Sequence, residues 1–409
     1  MSRSLTSQRV GGLSIGWGEA AGAVADLGVF VPLAAALILV NGLSAGAVLL
    51  GAGLLYMGAG LWFRVPFPVQ PFKAVAAIAV AHQLPPSVIH AAGLEMAGLL
   101  LLIGLCGLAN RVAQLFTRPV IRALQLGVGL MLLAGAWKLA VHPPAGFAGV
   151  LTPAWRLLLT LAALAGVALA ARTARYGAAL AILAVGVAAT AAAVGPDLSA
   201  PTLSLPSLHW PATQDFAVAL GLLVIPQFPL TFGNAVVAVD DLAHEYFGPA
   251  ARRVSPGRVC ISDALGNLAA GLLGGMPMCH GAGGLTAHVR LGARTAGMNL
   301  LLGGTLIAMG LLWAGDIPVL LGLLPVWALA ALLAYAALRH ALLVCDLRGW
   351  PLAVAGISGA VGAAAGNLAI TLVLALLLAH LPRLITTRRA SDEPASAAAA
   401  PLPADRSAR

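Results

Sequence analysis

Two short stretches of the chain combine residues that could hold an anion with backbone groups. In the first, Pro66, Pro68 and Pro71 interrupt an apolar run, and Lys73 follows two residues later. Proline fits the first position of a helix, where its missing N–H costs no hydrogen bond, so a short helix is predicted over 71–82. A helix start exposes unpaired N–H groups and a partial positive charge, and both attract anions.

The second stretch repeats this design in the later part of the chain. Met276–Gly284 contains one proline and three glycines, and a short helix is predicted over 281–291. Glycine lets the backbone approach a ligand closely. These glycines could instead serve tight helix packing alone. The matching proline break in the first stretch favours two helix starts that meet at one oxyanion site.

Polar side chains near both stretches are candidates for the same site, and each has a structural alternative. Gln70 could offer donors or cap the helix, and Lys73 could face the anion or extend to water. Thr231 and Asn234 share a helix face and could bind the anion or a neighbouring helix. His280 could donate to the anion, titrate, or serve as a buried structural residue. The residues predicted to bind the anion are Gln70, Pro71, Phe72, Lys73, Thr231, Asn234, His280, Gly281, Ala282, Gly283 and Gly284.

The composition of the chain places these stretches in a membrane. Of the 409 residues, 60% are hydrophobic and 9% are charged, whereas soluble domains carry about 25% charged residues. A soluble fold of this length could not bury so much apolar surface. The net charge is +9, but the basic residues occur singly or in small groups between apolar runs. That pattern indicates signals for membrane orientation and not nucleic-acid binding.

Two carboxylates in the first apolar segment, Glu19 and Asp26, are candidates for binding a coupling proton. Charged groups inside a membrane are costly, and they mark functional sites by default. Asp26 is deeper and is the better candidate, whereas Glu19 lies near the inner end, where water could solvate it. Asp263 and Asn267 share a face of a later helix and are predicted to bridge helices.

The chain contains about fourteen apolar segments, each near the 20 residues that a membrane span requires except for the two short helices. The long eighth segment contains Pro226 and Pro229, and it is either one kinked helix or two elements. The fourteen segments are 14–40, 44–62, 71–82, 87–107, 120–140, 153–171, 176–195, 215–247, 257–275, 281–291, 295–314, 317–338, 346–362 and 365–382.

The basic residues predict how these segments cross the membrane. All but three of the 23 lysine and arginine residues fall on one side of the membrane if the segments alternate in direction, and Arg118 and Arg122 lie in one of the connections on that side. Because basic residues favour the cytoplasmic side, both termini are predicted to lie in the cytoplasm. The short helices are third and tenth of fourteen, so two halves of seven segments are predicted to be inverted repeats. The divisions are a cytoplasmic N-terminus (1–13), a first membrane repeat (14–195), a non-cytoplasmic loop (196–214), a second membrane repeat (215–382) and a disordered cytoplasmic tail (383–409).

Four motifs together resemble the molybdate transporter family, a branch of the sulfate-permease-like superfamily. They are Ala25–Pro32, Val69–Ala74, Pro229–Val239 and Met276–Leu285, and the His-Gly-Ala-Gly-Gly sequence in the last is the most specific. The resemblance implies core and gate domains built from two inverted repeats of seven segments, without a cytoplasmic regulatory domain. It also implies uptake of molybdate coupled to protons. The chain departs from the pattern at the pair Asp240–Asp241, near which plant-like members tend to have a lysine.

The leading hypothesis is therefore a multi-pass transporter of the cell (inner or plasma) membrane that imports molybdate by alternating access, with proton coupling, in direct contact with the lipid bilayer. The alternatives are a transporter of sulfate or another anion, such as an organic carboxylate, and an anion channel. A homodimer is also considered. Since the sequence shows no nucleophile–base pair, metal-ligand cluster or paired cysteine motif, it predicts no enzymatic activity, no bound metal and no cofactor.

Overall fold

The structure, a computed structural model, consists almost entirely of helices. Asp26, the predicted tail 383–409 and residues 1–11 of the predicted N-terminus lie outside its described residues. The structure describes residues 12–23, 27–114, 117–143, 151–172, 177–195, 200–323 and 325–379.

The helices of the first half overlap the predicted apolar segments, except for α6, which lies between the segments 87–107 and 120–140. The short helix predicted over 71–82 is α4, and a two-residue strand, β1 (Gln70–Pro71), directly precedes it. The first-half helices are α1 (Trp17–Ala23), α2 (Leu27–Asn41), α3 (Ala45–Phe63), α4 (Lys73–His82), α5 (Pro86–Leu105), α6 (Ala109–Ala113), α7 (Arg118–Val141), α8 (Pro153–Arg172) and α9 (Gly177–Val194).

The second half contains the second short helix, α14, which follows the strand β2 (Met278–Cys279). Between the halves, residues 200–212 form a connection without helix or strand. The second-half helices are α10 (Thr213–Ala219), α11 (Ile225–Leu230), α12 (Ala238–Phe247), α13 (Pro256–Leu273), α14 (Ala282–Leu291), α15 (Gly297–Leu312), α16 (Ile317–Gly322), α17 (Val326–Ala341), α18 (Gly349–Ala364) and α19 (Leu368–Ala379).

The long proline-containing segment is one helical run, Thr213–Ala251, and not two separate elements. Two π-helical stretches, Leu220–Val224 and Thr231–Val237, join α10 to α11 and α11 to α12. Pro226 and Pro229 lie in α11, between these stretches. Proline cannot donate to the preceding turn, and wider π turns accommodate such breaks without ending the helix.

Five of the described helical runs are long and apolar enough to cross a membrane. Six shorter apolar helices accompany them, including α4 and α15. Exposed leucines, such as Leu102 and Leu105 on α5, are about 60% or more accessible and suit contact with lipid chains. The five long runs are Ala45–Phe63, Pro86–Leu105, Arg118–Val141, Thr213–Ala251 and Val326–Asp346.

Helices α3 and α15 pack antiparallel through glycines on both sides. A Cβ built on Gly53 would lie 2.7 Å from the carbonyl oxygen of Gly303, and one on Gly310 would lie 2.7 Å from that of Gly46. Such distances leave no room for a side chain, so the two backbones touch directly. Elsewhere α5 packs on α13, and α17 and α18 pack on α7. The α3–α15 contact fixes the backbone that leads to β1.

Candidate functional site

The starts of the two short helices lie side by side. Strands β1 and β2 pair antiparallel, with Gln70 opposite Cys279 and Pro71 opposite Met278. The backbone N–H of Phe72 also donates to the carbonyl of Pro277, at 3.0 Å. Helices α4 and α14 therefore begin within a few ångströms of one shared backbone ladder.

Two buried asparagines hold the stretches that lead to the helix starts. Asn267 of α13 donates to the Met278 carbonyl at 2.7 Å and accepts from the Met278 N–H at 2.9 Å. Asn299 of α15 does the same for Phe67, donating to its carbonyl at 2.7 Å and accepting from its N–H at 2.9 Å. A carboxamide offers a donor and an acceptor together, so it replaces a neighbouring strand where none is present. Asn267 was predicted to bridge helices, and it instead joins α13 to the strand β2; the corresponding role of Asn299 was missed.

Gln70 and Lys73 meet above the start of α14. The Nζ of Lys73 donates to Oε1 of Gln70 at 2.6 Å. The Gln70 side chain lies directly against Gly281, where a Cβ would overlap Oε1. Gln70 is 3% exposed, whereas Lys73 is half-buried. The glycine thus lets a side chain of β1 reach the start of the second short helix.

The first turn of α14 leaves backbone donors unpaired. The N–H groups of Gly284 and Leu285 donate to the Gly281 carbonyl, at 3.0 and 3.3 Å. Among the described residues, none supplies an acceptor to the N–H groups of Ala282 and Gly283. Gly283 is exposed, and a Cβ there would meet nothing within 4 Å. These donors can therefore bind a small anion.

Gln227 of α11 is a site residue that sequence reasoning missed. Its Oε1 accepts from the backbone N–H of Ala74, in the first turn of α4, at 3.0 Å. Its Nε2 donates to Oγ1 of Thr231 at 3.2 Å, and that hydroxyl donates to the Gln227 carbonyl at 3.2 Å. Thr231 is fully buried, whereas Asn234, one turn later, is half-buried. The signal was a glutamine between two prolines in the middle of an apolar segment.

His280 lies behind the helix starts and is fully buried. Its Nδ1 is 2.7 Å from the Pro68 carbonyl and its Nε2 is 2.9 Å from Oγ of Ser262. Its backbone N–H donates to Oδ1 of Asp263 at 3.1 Å. Both ring nitrogens are therefore engaged by protein groups, and the histidine joins the first stretch to α13 and to the second. Asp263 was predicted to bridge helices, and this contact instead joins α13 to the stretch before α14.

The carboxylate of Glu19 binds backbone next to α15. Its Oε1 accepts from the N–H groups of Arg294 and Thr295, both at 3.0 Å. Glu19 is 6% exposed, so it is not solvated as the sequence alternative supposed. Its other oxygen, Oε2, has no hydrogen-bond partner among the described residues.

A histidine of α17 lies within electrostatic range of Lys73. His340 of α17 interacts electrostatically with Lys73 and with Arg122 of α7. Arg122 also donates from Nη1 to Gln125 at 2.8 Å and from Nε to Oδ1 of Asp346 at 3.0 Å. The described residues contain no group of three or more histidine, cysteine or acidic side chains that could hold a metal.

Comparisons with known proteins identify the family. Residues 18–132 and 219–339, more than half of the chain, match the family described as molybdate transporters of the MFS superfamily. Molybdate transporter 2 of Arabidopsis thaliana is 31% identical over 372 residues, which cover 80% of this chain and 79% of that protein. Molybdate transporter 1 of Chlamydomonas reinhardtii is 30% identical over 443 residues, which cover 81% of this chain and 84% of that protein.

Solved structures share the fold at low sequence identity. The transmembrane domain of the cyanobacterial bicarbonate transporter BicA aligns with a TM-score of 0.60 at 17% identity, covering 91% of this chain and 100% of that chain. The murine Slc26a9 anion transporter in its inward-facing state gives 0.64 at 13% identity, covering 94% and 70%. Against a further SLC26A9 structure the score is 0.62 at 12% identity, and this chain covers 65% of that chain's length.

These likenesses show the fold alone, which this chain shares with SLC26A9 and with the transmembrane domain of BicA. The family match goes further, because its two matched ranges include both helix starts, and the two curated relatives each align with about four fifths of this chain. Its members are transporters and not enzymes. This multi-pass membrane protein belongs to the molybdate transporter family.

Proposed function

We propose that this protein imports molybdate across the cell membrane by alternating access, with the anion held between the starts of α4 and α14. The observation that carries the proposal is the pairing of β1 with β2, since it sets both helix starts beside one space. The names of the curated relatives support molybdate as the substrate.

Charge balance supports a dianion at this position. Each helix start contributes roughly half an elementary positive charge, and the Lys73 ammonium adds a full one. Their sum, roughly two positive charges, matches the two negative charges of molybdate. A cation in the first turn of α4 opposes the helix dipole, and a bound anion removes that conflict.

The anion contacts are assigned residue by residue. The N–H groups of Ala282 and Gly283 and the Lys73 ammonium bind the oxygens, and Asn234 faces them from the long helix. The other predicted residues shape or brace the space: Gln70, Pro71, Phe72, Thr231, His280, Gly281 and Gly284. Of these, Gln70 positions the ammonium through its 2.6 Å hydrogen bond, and His280 braces the backbone from behind.

The proposal includes the predicted topology. Fourteen segments form two inverted repeats, 14–195 and 215–382, joined by the non-cytoplasmic loop 196–214, with the N-terminus 1–13 and the tail 383–409 in the cytoplasm. Placing α4 and α14 third and tenth makes them equivalent, and inverted repeats bring equivalent broken helices to a midplane site. Core and gate domains then move against each other to expose the site to either side.

Proton coupling is assigned to Asp26 or Glu19. The buried Oε2 of Glu19, without a described hydrogen-bond partner, is an atom on which a proton would remove an uncompensated charge. In proteoliposomes with an imposed pH gradient, Glu19→Gln would reduce gradient-driven uptake and spare exchange of molybdate across the membrane. Uptake that ignores the gradient in the unmodified protein would instead indicate a uniporter or a channel.

A transporter of another anion is the second candidate, supported by fold neighbours whose names specify bicarbonate or anion transport. Sulfate has the shape and charge of molybdate and competes for the same donors. Uptake of labelled molybdate in the presence of excess sulfate, tungstate, bicarbonate or benzoate separates these substrates. Inhibition by tungstate alone supports molybdate, whereas equal inhibition by sulfate supports a broader oxyanion transporter.

The test of the site uses two matched pairs of variants. Lys73→Gln should abolish uptake, whereas Lys138→Gln, at an exposed lysine of α7, should not. Gly283→Val should fill the space beside the unpaired donors and reduce uptake. Gly135→Val is the control: a Cβ at either glycine meets nothing within 4 Å, but Gly135 lies on α7, so this variant should transport normally. Membrane quantity is measured by immunoblot for each variant. Wild-type uptake by both Lys73→Gln and Gly283→Val would contradict the site.

A further inference from the structure

A pocket lies apart from the helix starts, at the ends of other helices. It has a volume of about 420 Å³ and is bordered by the beginnings of α3 and α5, the end of α13 and the connection 200–212. Two histidines, His90 and His209, face each other across it, with ring centroids 5.8 Å apart and planes tilted by 33°. The pocket lining contains no lysine, arginine or carboxylate.

His90 is arranged as metal-binding histidines are. It is 6% exposed, and its ring lies close to the backbone carbonyl of Gly274. The other nitrogen, Nε2, has no hydrogen-bond partner among the described residues. A carbonyl beside one ring nitrogen favours the proton on that nitrogen and leaves the lone pair of the other available, as in histidines that bind metals.

His209 brings the second imidazole from a different part of the chain. Its backbone N–H donates to the Leu272 carbonyl at 2.8 Å, and its Nε2 lies 3.1 Å from Oγ of Ser207. Earlier in the same connection, the N–H of Thr202 donates to the carbonyl of Leu312 at 2.9 Å. His209 itself is exposed, so an ion could reach the pair from water.

The ring separation fits one shared metal ion. A zinc–nitrogen distance of about 2.0–2.1 Å places two imidazole centroids roughly 5 Å apart at a tetrahedral metal, and slightly more at a wider angle. The observed 5.8 Å needs only a small side-chain adjustment. The starts of α3 and α5 border the pocket, and the exposed N–H groups of a helix start disfavour cations. Two such groups are absent or already engaged here, because Pro86 has no N–H and the N–H of Ala47 donates to the Ser44 hydroxyl.

We propose that His90 and His209 form a binding site for a first-row divalent metal ion such as Zn²⁺, with water completing the coordination. Imidazole is a preferred ligand of zinc, copper and nickel. An anion is a weaker fit because the lining supplies no fixed positive charge. The bound metal ties the connection 200–212 to α5, at a place distinct from the proposed molybdate site.

Zinc binding to the full-length protein in detergent, measured by isothermal titration calorimetry, tests this proposal without any transport assay. The unmodified protein should bind one Zn²⁺ per chain, and His90→Ala or His209→Ala should weaken that binding at least about tenfold. His142→Ala is the matched control, because His142 is exposed at the end of α7 and does not line the pocket. It should bind zinc as the unmodified protein does.

The exposed His209 keeps the test decisive even where His90→Ala fails to fold. Undiminished zinc affinity in a folded His209→Ala variant would overturn the proposal. So would an equal loss in His142→Ala, since that would show non-specific binding by exposed histidines. A rise in unfolding temperature with Zn²⁺ that disappears in His209→Ala alone would support it.

Discussion

Gly281 tests how closely the two helix starts must approach each other. A methyl group at this position would overlap Oε1 of Gln70. The backbone of Gly281 has φ −78° and ψ 125°, a conformation that alanine adopts readily. Gly281→Ala therefore displaces one side chain and leaves the backbone unstrained.

The displacement breaks the 2.6 Å hydrogen bond between Lys73 Nζ and Gln70 Oε1. Hydrogen bonds to charged groups contribute about 1.5–3 kcal/mol, and this one is only partly buried, which favours the lower figure. With the ammonium no longer held over the helix starts, molybdate affinity should fall roughly tenfold, since about 1.4 kcal/mol corresponds to a factor of ten. Calorimetric titration of the purified protein with molybdate measures this change.

A double-mutant cycle separates this effect from a general loss of structure. Gln70→Ala removes the atom that collides, so adding Gly281→Ala to it should cause no further loss of affinity. Gly283→Ala should leave the unfolding temperature unchanged, because its methyl group meets nothing within 4 Å. The reasoning is refuted when Gly281→Ala binds molybdate normally, or when its effect is undiminished in the Gln70→Ala background.

Two further substitutions test the packing around the site by thermal unfolding in detergent. Gly53→Val forces α3 away from α15 and should lower the free energy of unfolding by about 1–3 kcal/mol. Gly58→Val, on the same helix, meets nothing within 4 Å and should be near neutral. Equal unfolding temperatures of the two variants would show that the helices separate freely. Asn267→Leu leaves the N–H and carbonyl of Met278 buried without partners, and each should lower the free energy of unfolding by about 1–3 kcal/mol. An unchanged unfolding temperature would mean that water replaces the carboxamide.

The short helices could be predicted because local chemistry determines them. Prolines at 66, 68 and 71 forbid a continuous helix whatever surrounds them, and the glycines that begin α14 act in the same local way. The adjacency of the two starts followed from their matching positions in the chain. The long eighth segment was ambiguous, because proline alone does not distinguish a break from a helix that widens into π turns.

The missed residues depend on contacts between distant parts of the chain. Gln227 meets Ala74 across 153 positions, and Asn299 meets Phe67 across 232. No local pattern marks a polar residue for such a partner. Arg122 lies in α7, within the predicted segment 120–140, but its partner Asp346 lies 224 positions later in the chain. Sequence order identifies which groups could bind an anion, and packing decides which of them are already engaged.

The pairing of β1 with β2 has a consequence for biosynthesis. The ribosome makes Gln70 more than 200 residues before Cys279, and the partners of Phe67 and Pro68 also come from beyond residue 278. Until then, several amide and carbonyl groups of this stretch have no protein partner, and hydrocarbon supplies none. The nascent first half must therefore keep this stretch near water or the insertion machinery, and the binding pocket closes only late in synthesis.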